Sequence, residues 1–323
     1  MNADDEGPQH QDVATWYSVH VYYHGRLELL LTECIGPIVS SMRTRGVSRW
    51  FFLRHSTGGP HVRVRFQLAA GTTPAVKDTL TADIGDYLRE KPSTTPIAAD
   101  HLASFEDGHR AIAALDGEPA GPGAFYPDNT VIATPYVPEP AKYGGPLGVA
   151  LAERFFEASS DLVITLLSRE AGNGHRPASM AFAMMLAGLR AAGYGERDIA
   201  AFFAAYARFW QRCIPPDAWQ SWLSTVTARP DALRSLSDSI TRSDGSAGPA
   251  WMEPWVVAFG AAAKALHEQA IAIEPAVTLA GPMDPIAFVL CNYLHTHNNR
   301  LGVSPALEAR LAYLGSHIMG QHD

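Results

Sequence analysis

Two groups of side chains in this sequence could carry chemistry. The first lies in Trp50-Phe51-Phe52-Leu53-Arg54 and His61-Val62-Arg63-Val64-Arg65-Phe66. The second is Tyr293 followed by His295-Thr296-His297-Asn298-Asn299-Arg300. No acidic residue occurs between Glu33 and Asp78, yet Arg43, Arg45, Arg49, Arg54, Arg63, Arg65 and Lys77 fall in that interval. The chain as a whole carries a net charge of −8, which argues against general nucleic-acid binding. A basic island in an acidic protein suits a local anionic partner, such as an acidic peptide segment or a carboxylate. A solvated basic surface is the plainer alternative for any single arginine.

If the first group forms a hairpin pairing Arg54 with His61, Phe52 lies opposite Arg63 and Trp50 opposite Arg65. One face then shows Phe51, Leu53, Val62 and Val64, fit for a core. The other shows Trp50, Phe52, Arg54, Arg63 and Arg65. Arginines facing a buried junction need carbonyl or anionic partners. Those partners are either a substrate or the chain's own Glu139 and Glu153. A slip of one residue would invert the assignment.

On a helix, His295 shares a face with Asn292, Asn298, Asn299 and Gly302, while Tyr293, His297 and Arg300 share another. Two histidines at that offset cannot reach one metal, so no metal site is expected. One histidine could act as a general acid–base with an asparagine orienting its ring. A helix C-terminus also favours Asn, Gly and His.

These residues need a scaffold. Hydrophobic residues make up 47% of the chain and charged residues 18%, so much of it must be buried. Residues 1–14 read as a disordered tail. Strands are expected at Trp16–Tyr23, Val47–Arg54, His61–Leu68 and Thr130–Val137, and helices over Leu27–Met42 (with a kink at Gly36-Pro37) and Pro74–Arg89. The order is βαββαβ, so residues 15–145 form a ferredoxin-like sheet unit. Ala- and Leu-rich segments near 147–171, 178–192, 196–212, 217–242, 253–273, 284–299 and 304–319 form a mainly α-helical layer over 146–323, making an α+β protein. Cys34, Cys213 and Cys291 lack metal or disulfide spacing and read as buried thiols. No apolar run spans a bilayer and no signal segment opens the chain, so a soluble, cytoplasmic protein is expected.

Three segments in order carry a family resemblance. They are Trp16-Tyr17 with the hairpin motifs, Tyr136-Val137-Pro138-Glu139-Pro140-Ala141-Lys142-Tyr143-Gly144-Gly145 with the helix bearing Ser159-Ser160, and His295–Gly302. Together the chain resembles the thiopeptide-type bacteriocin biosynthesis and lantibiotic dehydratase C-terminal (elimination) domain family, most closely a stand-alone thiopeptide pyridine synthase. The resemblance implies one of two reactions on a precursor peptide with an acidic leader and dehydroamino acids, with other biosynthetic enzymes as possible partners. Elimination removes glutamate from glutamylated Ser or Thr. Pyridine synthesis joins two dehydroalanines in a formal aza-[4+2] cycloaddition, with loss of water and leader peptide. At 323 residues the chain is too short to hold the glutamyl-transfer domain as well.

Neither route calls for a metal or redox cofactor. By resemblance His295 matches the catalytic histidine of elimination domains. Tyr293, Arg63 and Arg65 are further catalytic candidates, and Lys142, Trp50, Phe52, Arg54, Asn299 and Arg300 substrate-binding ones. Two departures favour pyridine synthase: Lys142 stands where the elimination pattern reads RYGG, and Ser159-Ser160 where it reads Asp-Ser. Lysine does not replace arginine where a planar fork must hold a carboxylate. A catalytically silent leader-binding partner is the alternative of another class.

Overall fold

Alternating β-branched and aromatic residues make Thr15–Tyr22 a strand (β1), and Val47–His55 (β2) with His61–Leu68 (β3) form the hairpin. In the computed structural model, residues 14–72, 74–94, 125–170, 177–211, 214, 217, 219–220, 250–269 and 284–320 are described. Thr130–Thr134 (β4) is the remaining described strand, shorter than the expected Thr130–Val137 because Pro135 brings no N–H to a ladder. The sheet order is β2-β3-β1-β4, antiparallel throughout, as the ferredoxin-like reading requires. The tail and the expected helix at 217–242 lie outside the described residues, except for Ala14 and a few isolated positions.

The first helical arm is continuous but irregular. Leu30–Ile35 is π-helical, and the Gly36 N–H reaches back five residues to the Leu31 carbonyl. Pro37, which has no N–H, follows directly, and Gly36–Met42 (α1) resumes α-geometry. The expected kink at Gly36-Pro37 is taken up as this extra residue in the turn. The arm and Pro74–Glu90 (α2) cover one face of the sheet; the Tyr17 hydroxyl meets the Thr81 hydroxyl at 2.6 Å.

The hairpin register differs from expectation by one residue. Arg54 pairs with Val62, Leu53 with Arg63, Phe52 with Val64, Phe51 with Arg65 and Trp50 with Phe66. The connecting loop is Ser56–Pro60, with Gly58 at φ 72° and Gly59 at φ 110°, closed by Gly59 N–H to the Ser56 carbonyl at 3.0 Å. The core selects this register. Trp50, Phe52, Val62, Val64 and Phe66 join Val19 and Val21 on the covered face, all at most 1% exposed. Trp50 and Phe52 are therefore core residues, not a substrate platform. Phe51, Leu53, Arg63 and Arg65 share the other face with Trp16, Ser18 and His20.

The helical layer comprises Pro140–Tyr143 (α3), Gly145–Glu170 (α4), Pro177–Ala191 (α5), Glu196–Gln211 (α6), Glu253–Glu268 (α7), Pro285–Leu301 (α8) and Pro305–Met319 (α9). It docks on the outer edge of β2, whose backbone groups would otherwise lack partners. Asn299 imitates a neighbouring strand: its Oδ1 accepts from Arg54 N–H at 2.8 Å and its Nδ2 donates to the Arg54 carbonyl at 2.9 Å. Ser160 Oγ accepts from Phe52 N–H at 3.2 Å, and Arg300 Nε donates to the Phe52 carbonyl at 2.8 Å. Asp161 on α4 accepts from Trp50 Nε1 and pairs with Arg43. Cys34 and Cys291 are buried free thiols, while Cys213 lies outside the described residues. Among the described residues no helix is long and apolar enough to cross a membrane.

Candidate functional site

Asp284 starts α8 by accepting from the N–H groups of Ile286 and Ala287, with Pro285 in the first turn, an arrangement that satisfies the orphan donors there. Gly302 ends it at φ 85°. A Cβ at Gly302 would also stand 3.3 Å from the Arg54 guanidinium carbon, so both backbone and packing call for glycine. Between Ala287 and Leu301 the helix is buried except at Phe288, Asn292, His295 and Asn299. Their spacing of four, three and four makes one stripe along the helix. That stripe is the accessible part of the second chemical group.

The stripe meets β2 at Asn299 and α3 at Asn292. Asn299 holds the Arg54 backbone, one residue from Leu53 and its partner Arg63. Asn292 Nδ2 approaches the Lys142 carbonyl at 3.4 Å, and Lys142 Nζ pairs with Glu139 at 2.6 Å. Glu139 in turn acts electrostatically on Arg65. In the middle, His295 Nδ1 lies 3.1 and 3.2 Å from the two carboxylate oxygens of Glu308, and its ring packs 4.5 Å from Trp210. The His295 side chain is 22% exposed, whereas Glu308 is fully buried.

Tyr293 is on the far side of α8. It is fully buried, stacked on Phe155 at 4.5 Å, and its hydroxyl has no partner among the described residues. Burial raises its pKa, keeping the phenol protonated. His297 faces the same way, 2.8 Å from Ser159 Oγ and 4.0 Å from the Trp255 ring. Burial and Arg300 push its pKa well down, so it is a neutral core imidazole. His295 and His297 diverge, one toward Glu308 and the other toward Ser159. Arg300 is buried over the Phe156 ring and bound to Phe52 and Ser159, so it joins the helix to the sheet. Tyr293 and His295, both catalytic candidates and expected on different faces of α8, point into different surroundings.

On the sheet's other face, Arg65 is 8% exposed and lies 5.4 Å from the Phe51 ring centre and 5.0 Å from that of Tyr136. Its Nε and Nη1 have no hydrogen-bond partner among the described residues. The neighbouring strand residues Ser18 and Thr134 likewise have unpartnered hydroxyls. Burial, with help from Arg63, brings the Arg65 pKa down from 12.5 to about 10. The acids expected to neutralise it are engaged elsewhere: Glu139 with Lys142, and Glu153 with the Tyr136 hydroxyl at 2.9 Å. Arg63 Nε approaches His61 Nε2 at 3.4 Å, and burial pushes the pKa values of His20 and His61 down to about 3. Arg54, opposite Val62 on the covered face, is instead paired with Glu28 at 2.8 Å.

His295 and Asn299 thus lie on one accessible stripe that also carries Asn292 and touches the Arg54 backbone and the Lys142 carbonyl, whereas the Arg54 side chain turns to Glu28 on the covered face and Arg63 and Arg65 occupy the other. Trp50, Phe52, Tyr293 and Arg300 stand behind the stripe. Glu308, Tyr206 and Ser18 were not singled out in the sequence, where an isolated Glu in an amphipathic helix or a lone Ser in a strand gives no signal.

The chain matches the lantibiotic biosynthesis dehydratase C-terminal family over residues 16–319. Among solved structures, it is similar to the pyridine synthase TbtD from thiomuracin biosynthesis, with 22% identity and a TM-score of 0.71 over 95% of this chain and 98% of that one. TsrL is similar at 18% identity and a TM-score of 0.64, covering 95% and 94% of the two chains. The tRNA-dependent lantibiotic dehydratase MibB from Microbispora sp. 107891 matches at 18% identity and a TM-score of 0.57, over 97% of this chain but 28% of that one. At such identities the likeness speaks for a shared fold. No curated protein matches. Since the family match runs from the first strand to the last helix, the chain belongs to the lantibiotic dehydratase C-terminal family.

Proposed function

We propose that this protein is a pyridine synthase of thiopeptide biosynthesis, acting on a precursor peptide that carries an acidic leader and two dehydroalanines. The observation that carries this reading is the Lys142–Glu139 ion pair at 2.6 Å. Where elimination requires a planar fork to grip glutamate, this chain has an ammonium committed to a local acid. The likeness to TbtD over nearly the full length of both chains supports the same reading.

In this reaction one dehydroalanine reacts as an azadiene after its amide takes the iminol form. A proton leaves the amide nitrogen and another reaches the amide oxygen. His295 is placed to transfer such protons, because its Nδ1 is tied to Glu308 and its ring lies on the accessible stripe. The π electrons of azadiene and alkene then form two carbon–carbon bonds and close the ring. Loss of water, and of the leader peptide as its amide, makes the ring aromatic. Arg63 and Arg65 hold peptide carbonyls or carboxylates. Asn299, holding the Arg54 backbone, shapes the far end of the stripe. Holding the two alkenes in contact supplies most of the acceleration, an entropic contribution of roughly 7–11 kcal/mol in well-oriented systems.

The test offers the protein a bis-dehydroalanine precursor and, separately, a glutamylated one, and follows masses. Loss of water plus leader from the first is expected, with no loss of glutamate from the second. The Lys142→Arg variant should release no glutamate either. Glutamate release by the parent protein would make it an elimination enzyme, and a bound but unchanged precursor would make it a binding partner.

Arg65 gives an independent check. Its buried donors have no partners to lose, so Arg65→Met should keep or raise the melting temperature. Precursor conversion should nevertheless fall by tenfold or more, roughly the worth of one charged hydrogen bond at 1.5–3 kcal/mol. Equal losses in stability and turnover would make Arg65 a structural residue.

A further inference from the structure

The surroundings of His295 contain a device that the reaction alone does not call for. Glu308 is fully buried. Its described partners are the His295 ring and the Tyr206 hydroxyl, which donates to it; no described Lys or Arg makes an ion pair with it. Three helices meet at this point: Tyr206 comes from α6, His295 from α8 and Glu308 from α9. The groups facing the carboxylate from these helices are Tyr206, His295 and the buried Cys291 thiol of α8. The Cys291 pKa is raised well above its usual value by burial and by Glu308, so the thiol stays neutral. Tyr206 is likewise held protonated, by burial first and the carboxylate second. A buried carboxylate is costly unless it is paired and hydrogen-bonded, and here the one partner able to become a cation is a histidine.

We propose that Glu308 is the positioning residue for His295: it accepts the Nδ1–H, fixes the tautomer in which Nε2 carries no proton, and stabilises the imidazolium formed when Nε2 takes one. Tyr206 sets the strength of this help by sharing the carboxylate's negative charge. Trp210 supports the ring from one face, so the imidazole is held by contact as well as by charge. No proton passes to Glu308. The Nδ1–H remains on the ring throughout, as an aspartate orients the histidine of a serine-protease triad.

The inference rests on the reading of His295 as a proton-transfer group, and its test is chosen to separate the two. Glu308→Gln keeps an acceptor of the same shape but removes the charge. It should slow precursor conversion by roughly 10²-fold and move the acid limb of the pH–rate profile to lower pH, because the imidazolium loses its anion. Tyr206→Phe should move that limb the opposite way, since the carboxylate loses a neutral donor and helps the imidazolium more. In parallel, ¹⁵N-histidine NMR of the intact protein follows the ring directly, with the His295 signal among the 13 histidines assigned by its absence in a variant. An Nδ1-protonated ring in the parent, with a titration lowered by Glu308→Gln and raised by Tyr206→Phe, is expected.

The proposal is overturned if the tautomer and titration of His295 are the same in the parent and both variants. It is equally overturned if Glu308→Gln slows the reaction only in proportion to lost folded protein, with the profile unmoved. Should the NMR shifts appear while neither precursor is converted, Glu308 positions the histidine and the functional reading alone fails. If Glu308→Gln does not fold, Tyr206→Phe decides through the direction of its shift.

Discussion

Replacing His295 by asparagine should lower precursor conversion by roughly 10²- to 10⁴-fold, the range of a lost general acid–base group, while the protein stays folded. The asparagine Nδ2 can take the place of the imidazole Nδ1 as donor to Glu308, so the buried carboxylate keeps a partner. What disappears is the second ring nitrogen, Nε2, and with it the proton-transfer group. The two sides of α8 make this distinction sharp, because His297, two residues on, is fully buried between Ser159, Met184 and Trp255. Rates with saturating precursor, read beside a melting curve, provide the check. If the His295→Asn variant converts precursor at the parent rate, His295 has no part in the chemistry.

Arg300→Ala should instead act on the fold, with a loss of about 3–5 kcal/mol and a melting temperature lower by roughly 10 °C. Arg300 is fully buried over the Phe156 ring, gives Nε to the Phe52 carbonyl at 2.8 Å and Nη1 to Ser159 at 3.2 Å. Alanine leaves a cavity, and the Phe52 carbonyl loses its donor on the outer edge of β2. Burial already costs this side chain something, since it brings the Arg300 pKa from 12.5 down to about 9. The lost contacts outweigh that relief, because the hole is large and the strand edge stays buried. Arg65, also cationic and buried, is expected to behave oppositely under Arg65→Met because its Nε and Nη1 have no hydrogen-bond partners to forfeit among the described residues. Thermal and urea unfolding of the two variants side by side would measure the contrast. A melting temperature unchanged by Arg300→Ala would mean that the sheet and helical layer are held by other contacts.

The sequence by itself determined the elements and their class. Alternation in Trp16–Tyr22, the Gly-rich turn before His61 and the apolar periodicity of the later segments are local properties, and the βαββαβ order with its helical layer follows from them. It also determined which positions deserved attention on α8, since helical geometry alone places His295 with Asn292 and Asn299, and Tyr293 with His297 and Arg300. Tertiary structure decided which of those faces is a site. Periodicity separates two faces of a helix but does not say which one meets Phe155 and Ser159 and which stays accessible.

The hairpin shows the same limit in another form. Its alternating residues fit either register, because both faces carry aromatic and basic side chains. The choice fell to the packing of Trp50, Phe52, Val62, Val64 and Phe66 with Val19 and Val21 beneath the first helical arm. The Glu308–His295 contact was likewise beyond reading, although only 13 residues separate the two. It depends on how α9 turns back after Gly302 to cross α6 and α8, and no spacing rule within one helix contains that angle.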